Sequence, residues 1–411
     1  MKAIRLLFLL LMFLPVTLNA QTEEQELLAA PQTGADSTVL VVPYRELITE
    51  RLDALVDDSL MEVSQLGLMV WDLTDDTLLY ARNPRHLLRT ASTKKLLTAI
   101  AALDQLGTDY QYQTMLYYTG TIEQGQLRGN LICKGGMDPM FSHKDLLAFV
   151  QALKDKGIRS LRGNIITDIT MKETEKWGEG WCWDDDNPTL SPLLIDGKAN
   201  FSEQLLKELQ KARISTAGVR VATGSIGNDA KLLCIRSHSI DEVLQQMMKE
   251  SDNLFAEATY YQVAASGNHK PATAKDAQKM ERELLNKAGL DGERYRLADG
   301  SGLSLYNYLS AEAQVMLLRY VWQHPDIYRH LLPSLPIAGV DGTLKKRMID
   351  TAAQHNVQAK TGTVTGVSAL SGYCTAPDGH RLAFSIINQG IKHAAEGRAF
   401  QDRFCVALCM P

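Results

Sequence analysis

The spacing of apolar and polar positions changes several times along the chain. Tyr44 to Ser59 carries Leu47, Ile48, Leu52, Leu55 and Val56 at helical intervals, which predicts an amphipathic helix. Leu66 to Tyr80 reads as two strands around a Thr74-Asp75-Asp76 turn. A longer helix with an apolar face is predicted from about Ser92 to Leu106, with Gly107 just past its end. Between residues 108 and 236 the character changes. Short strand-like runs (QTMLYYTGTI, GQLRGNLICKGG, GIRSLRGNIITDIT) alternate with glycine turns, and an irregular tryptophan-rich piece, KWGEGWCWDDDNPTLSP, follows. Helical spacing returns at Asp241 to Ala265 and at Ser310 to Trp322. Three strand-like runs, VQAKTGTV, SALSGYCTA and RLAFSIINQG, precede a closing helix.

Strands near both ends of the sequence, with helices between them, imply one sheet assembled from distant parts. The expected architecture is α/β (α+β). A discontinuous body is made from residues 41–107 and 237–411, and a mostly β domain is inserted at 108–236.

The first twenty residues bear on compartment. Lys2 and Arg5 precede the apolar run Leu6 to Val16, and the small residue Ala20 precedes Gln21. This pattern predicts a signal peptide over residues 1–20, secretion across the inner membrane, and a periplasmic mature chain. The run is shorter than the ~20 residues a spanning helix needs, and Pro15 interrupts it, so no membrane span is expected after cleavage. Residues 21–40 are polar and rich in small side chains, and read as a flexible lead-in. Loss of Lys2 and Arg5 would move the net charge from −5 to −7, which argues against a nucleic-acid or membrane-surface partner. Six cysteines in an oxidising compartment could pair, but their spacing does not say how. Cys405 and Cys409 would lie about 6 Å apart along a helix axis, poorly aimed for a bridge, and read as small apolar residues on a buried face. Neither the cysteines nor the nine histidines show metal-ligand spacing, so no metal and no cofactor are expected.

Three short motifs carry the chemistry. In Ser92-Thr93-Lys94-Lys95, Ser92 and Lys95 fall one helical turn apart on one face. A serine hydroxyl needs a base to become a nucleophile, and a lysine amine at this spacing can serve. Its pKa must then fall by roughly three units, about 4 kcal/mol, which burial beside other cations can supply. Ser251-Asp252-Asn253 lies between two helical runs, where Ser251 can shuttle a proton and Asn253 can hold a substrate amide and the lysine. Lys360-Thr361-Gly362-Thr363 lies on a predicted strand. There Lys360 and Thr361 suit a carboxylate, Gly362 admits a peptide backbone, and the Thr363 and Ser92 N–H groups can form an oxyanion hole. Each motif alone is equally compatible with a helix cap, a turn or a surface lysine. Their order and their helix, loop and strand contexts together match the signature set of the penicillin-recognising serine enzymes.

Longer segments narrow the resemblance. Asp299-Gly300-Ser301-Gly302-Leu303-Ser304, Gly339-Val340-Asp341-Gly342-Thr343-Leu344 and Ala369-Leu370-Ser371-Gly372-Tyr373 are similar to segments of the type-4 class C penicillin-binding proteins, D-alanyl-D-alanine carboxypeptidases that also act as endopeptidases. The resemblance runs from about Leu66 to Gln389. It implies a β-lactamase/D,D-transpeptidase-like catalytic domain, peptidoglycan stem peptides and cross-links as substrates, and β-lactam antibiotics as covalent inhibitors. Asp138, in Gly135-Gly136-Met137-Asp138-Pro139, matches the family's GGxDP segment, which implies a contact to the stem-peptide side-chain amine. Two departures stand out. The stretch between Ser92 and Ser251 is shorter than is usual, and Leu305 stands where an arginine often follows DGSGLS.

The competing classes fit less well. A class A β-lactamase needs Glu-x-x-Leu-Asn between the first two motifs; the nearest match, ERELLN at 281–286, comes after Ser251 and has Arg282 in the glutamate's place. Class C β-lactamases usually carry tyrosine where Ser251 stands. A catalytically silent wall-binding homologue would be expected to have lost one of Ser92, Lys95, Ser251, Asn253 or Lys360, and all are present.

Overall fold

The computed structural model describes residues 44–267 and 270–411; the expected signal peptide and lead-in lie outside them. An antiparallel five-stranded sheet forms the body, in the order Gln358–Val364, Val367–Thr375, Arg381–Gln389, Gln65–Asp72, Thr77–Arg82. The hairpin read around Thr74-Asp75-Asp76 thus joins the C-terminal strands, with Gln65 opposite Gln389. Both faces of this sheet are covered, which is why the strands Val367–Thr375 and Arg381–Gln389 are buried at almost every position. Alternate side chains enter two separate cores. Met69, Tyr373 and Ala383 face the helix Ala311–Trp322 and the helical half of the molecule. Leu68, Val70, Leu370, Phe384 and Ile386 face the helices Tyr44–Val56 and Ala394–Cys409.

The helix Lys94–Leu106 runs through the first core, with ten of its thirteen residues buried. Around it pack Ile240–Lys249, Asn253–Ser266, Ala274–Lys287 and Pro325–Ser334. The run read as helical from Asp241 to Ala265 is two helices, broken at Ser251 and restarted by Asp252, whose carboxylate accepts the Phe255 N–H.

The inserted stretch builds a second five-stranded sheet, ordered Val221–Thr223, Ile165–Asp168, Leu131–Lys134, Gln111–Tyr118, Lys231–Ser239. Two helices, His143–Asp155 and Phe201–Lys211, cover one face of this sheet. The reason is topological. Leu131–Lys134, Ile165–Asp168 and Val221–Thr223 are parallel, and parallel neighbours need crossover connections, which these helices provide. The local signals are present: a Ser142/Asp145 capping box and Leu146, Phe149, Val150 and Leu153 on one face. The last strand runs to Ser239, which caps Ile240–Lys249, so the chain re-enters the helical half three residues past 236.

Candidate active site

Ser92 sits in the short 3-10 turn Ala91–Thr93 that leads into Lys94–Leu106. Lys95, one turn on, is fully buried. Its Nζ donates to Ser92 Oγ at 3.0 Å, to Asn253 Oδ1 at 2.7 Å and to the Ser301 carbonyl at 2.8 Å. Burial pulls the lysine pKa from 10.5 to about 8, with Lys94 adding to the fall and Asp299, Glu257 and Asp252 opposing it. That is most of the depression a general base requires.

Ser251 has a left-handed backbone, φ 61°, which turns its side chain into the same cleft. Lys360 Nζ donates to Ser251 Oγ at 2.9 Å and to the Thr361 carbonyl at 2.8 Å. Lys360 is also fully buried, and burial together with the charge of Lys95 pushes its pKa well down. The five polar groups singled out in the sequence therefore form two serine–lysine pairs, Ser92–Lys95 and Ser251–Lys360, with Asn253 bound to the first.

The strand Gln358–Val364 lies directly against the turn that carries Ser92. A Cβ on Gly362 would fall 2.6 Å from the Thr90 carbonyl and 3.1 Å from the Ser92 nitrogen, so glycine is required for this approach. Thr361 Oγ1 donates to Thr343 Oγ1 at 2.8 Å, and the exposed Thr363 pairs with Ser368 across the hairpin.

Asp138 lies in the buried GGxDP turn. It is 2% exposed, and its carboxylate is engaged by His238 Nδ1 at 2.7 Å and by the Met140 N–H at 3.0 Å. Burial raises its pKa, against the pull of His238. Through these two contacts Asp138 ties the Gly135–Pro139 turn to the strand Lys231–Ser239.

Two buried carboxylates, Glu257 and the Asp299 that opens DGSGLS, hold the site's third wall. Glu257 Oε1 accepts the N–H groups of Gly300 at 3.1 Å and Ser301 at 2.8 Å. Asp299 accepts from Gly302 N, Ser304 N, Asn307 Nδ2 and the Trp181 indole, all within 2.8 Å. These bonds leave the Ser301 carbonyl aimed at Lys95 and the Gly300 carbonyl aimed at Thr98 Oγ1. Gly302 makes the approach possible: at φ 79° its Cβ would lie 1.9 Å from the Ala91 carbonyl. Burial pushes the Glu257 pKa up to about 8, with Asp299 adding to the rise. Beneath them Lys94, pointed away from Ser92, pairs with Glu281 at 2.5 Å in full burial. DGSGLS was visible as a segment, but Glu257 and Glu281 sit in ordinary helical sequence and carry no local signal. Elsewhere, Asp72, Asp75 and His380 bring ligand-type atoms within 4.8 Å of one another, but the Arg45 guanidinium already bridges the two aspartates.

The fold and this constellation define a serine acyl-transfer enzyme of the penicillin-recognising class. The two halves of the molecule, sheet and helices, meet at the serine–lysine pairs. The chain belongs to the D-Ala-D-Ala carboxypeptidase 3 (S13) family, whose match covers residues 48–194 and 188–408. It is similar to D-alanyl-D-alanine carboxypeptidase DacB of Haemophilus influenzae, 26% identical with 79% of this chain and 85% of that protein aligned. It is also similar to a D-alanyl-D-alanine carboxypeptidase of Actinomadura, 28% identical over 88% of this chain and 84% of that protein. Among solved structures, penicillin binding protein 4 of H. influenzae superposes with a TM-score of 0.78 at 24% identity, covering 89% of this chain and 98% of the other. A Bdellovibrio bacteriovorus predatory endopeptidase shares the fold with a TM-score of 0.54 at 15% identity, covering 79% and 87%.

Proposed function

We propose that this protein is a serine D,D-carboxypeptidase, and also a D,D-endopeptidase, acting on peptidoglycan stem peptides and cross-links through an acyl-enzyme on Ser92. The reading rests above all on the 3.0 Å Ser92–Lys95 hydrogen bond made by a lysine that burial has brought to a pKa of about 8. Neutral Lys95 takes the Ser92 proton as Oγ attacks the penultimate D-Ala carbonyl. The N–H groups of Ser92 and Thr363 hold the oxyanion. Ser251, bonded to Lys360, relays the proton taken up by Lys95 to the departing amine, the C–N bond breaks, and Lys95 is neutral again. Lys360 and Thr361 receive the terminal carboxylate, Gly362 admits the peptide backbone, and Asn253 orients the substrate amide. Water then attacks the ester and returns Ser92 to its resting state.

The name and ligand of the H. influenzae relative, which has been solved with a β-lactam, support the same acylation chemistry here, with β-lactams as covalent inhibitors. Family membership and the leader-like first twenty residues support secretion to the periplasm. Among the described residues no helix is long and apolar enough to cross a membrane. The test is release of D-alanine from a diacyl-L-Lys-D-Ala-D-Ala tripeptide. The wild type is expected to turn it over, and Lys95→Ala to lose at least about a thousandfold in kcat/KM, the scale of removing a base and its positioning together. Turnover by Lys95→Ala within tenfold of wild type would reject the assignment of the base.

A further inference from the structure

A second cleft lies where the inserted sheet meets the far end of the helix Asn253–Ser266. We propose that it binds the carboxylate end of a peptide, and, given the function proposed above, that this is the second stem of a cross-linked pair.

The cleft follows from the pattern of one strand. Along Gln111–Tyr118 the even positions Tyr112, Thr114, Leu116 and Tyr118 are buried, leaving Gln111, Gln113 and Met115 on the opposite face. Met115 pairs with Lys134, and Lys134 with Asp168, so these three lie in a row across the sheet on that same face. Gln262 and Ala265 of the helix, with Lys270, form the facing wall of a cavity of about 280 Å³. Gln262 fixes the rim, because its amide bonds the Gly136 carbonyl and accepts the Tyr110 hydroxyl at 2.8 Å. Junctions of this kind between two packed units are where small-ligand sites concentrate.

The charge inside the cleft is unbalanced. The one carboxylate in its wall, Asp168, is held by neutral donors, Oδ1 by the Thr170 N–H and hydroxyl and Oδ2 by the Ile226 N–H at 2.9 Å, and its single charge does not balance two lysines. Among the described residues, the Lys134 and Lys270 ammonium groups have no acidic partner, and the Gln111 and Gln113 side-chain amides have no hydrogen-bond partner. Two free cations favour a carboxylate, free amides match peptide N–H and C=O groups, and Met115, Met171 and Ile226 offer apolar contact to small side chains such as alanine. Gln262 and Ala265 lie nine and twelve residues along the helix from Asn253. At 1.5 Å per residue that is roughly 14–18 Å, the extended length of about five residues. The cleft is too far to hold the reacting D-Ala, and near enough for a peptide joined to it.

The test uses full-length mature protein acylated with benzylpenicillin, so that Ser92 is blocked and the block is verified by mass. An N-acetylated tripeptide ending in D-Ala is titrated by calorimetry, beside its C-terminal amide. The acid is expected to bind one to one and the amide at least tenfold more weakly. Lys134→Gln/Lys270→Gln should lose at least tenfold in affinity while its benzylpenicillin acylation rate stays at the wild-type value. Absent binding, equal binding of acid and amide, or unchanged affinity in the double variant would overturn the proposal. On a cross-linked dimeric muropeptide, a severalfold rise in KM in the double variant, with single-stem turnover unchanged, assigns the cleft to the second stem. An unchanged KM there, with peptide binding still lost, rejects the second stem and leaves a site for free peptide carboxylates. If Ser92 does not acylate, the function proposed above fails on its own, and the same titration on Ser92→Ala still decides the cleft.

Discussion

Lys95 spends three hydrogen bonds on Ser92, Asn253 and Ser301, a geometry that suits an ammonium, yet it must be neutral to take a proton. Its pKa of about 8 reconciles the two, since burial brings the neutral form within reach at working pH. The acid limb of kcat/KM should therefore rise with pH through an apparent pKa near 8; a profile flat from pH 6 to 9 would contradict Lys95 as the base. Glu257 acts at one remove, by holding the amides of Gly300 and Ser301 so that the Ser301 carbonyl meets Lys95. Glu257→Gln keeps an acceptor for both amides and should retain acylation within about tenfold. Glu257→Ala leaves them buried and unpaired, at about 1–3 kcal/mol each, and should lose substantially more. Equal losses in the two variants would show that the carboxylate's charge, not its geometry, matters. The same residue gives a stability signature. Its folded pKa, about 8, is raised above the ordinary 4.5, so its contribution is fully present below pH 4.5 and is lost as pH rises through 8. Glu257→Gln should flatten that part of the pH–stability curve measured by urea unfolding.

At the scale of elements, the site exists because a strand, a helix start and a loop touch at glycines. Gly362→Ala would press a methyl against the Thr90 carbonyl and the Ser92 nitrogen, separating the strand Gln358–Val364 from the nucleophile turn. The expected result is a loss of about 1–3 kcal/mol in stability and at least about a hundredfold in acylation rate, since it moves an oxyanion donor. Normal acylation by this variant would mean the strand does not close the site. The buried Lys94–Glu281 pair locks the helix Lys94–Leu106 to Ala274–Lys287. Glu281→Leu alone strands a buried ammonium and should cost about 3–5 kcal/mol, whereas Lys94→Met/Glu281→Leu should recover most of it. Denaturant midpoints of the wild type and the two variants decide, and a double variant as unstable as the single would contradict a purely pairwise lock. These contacts were opaque to sequence reasoning for a physical reason. Ser92, Lys95, Ser251, Asn253 and Lys360 stand in short local patterns, whereas Glu281 meets Lys94 across 187 positions of chain and looks like any helix glutamate. For Asp138 the segment pattern was legible, but its contact with His238, 100 positions away, was not.

Across the whole molecule, the pairing of distant strands into one sheet was legible because the strands are short apolar runs set off by turn residues. In the inserted region the strand runs and glycine turns were legible, whereas the two crossover helices that its parallel strand order requires were not. Cysteine placement follows from the two cores: Cys374, Cys405 and Cys409 share one, Cys133 lies in the inserted core, and Cys182 is exposed. With all six thiols reduced, Cys182 should react quickly with a thiol reagent, the partly buried Cys234 more slowly, and the other four only after unfolding. Fast native labelling of Cys374 would contradict the packing of the C-terminal helix. The account as a whole turns on Ser92 as an acylated nucleophile. Its most direct test is the intact mass of the mature protein after incubation with benzylpenicillin, beside a Ser92→Ala control. The predicted result is one covalent adduct per chain on the wild type and none on the variant. A folded wild-type protein that neither gains mass nor hydrolyses the drug would contradict it.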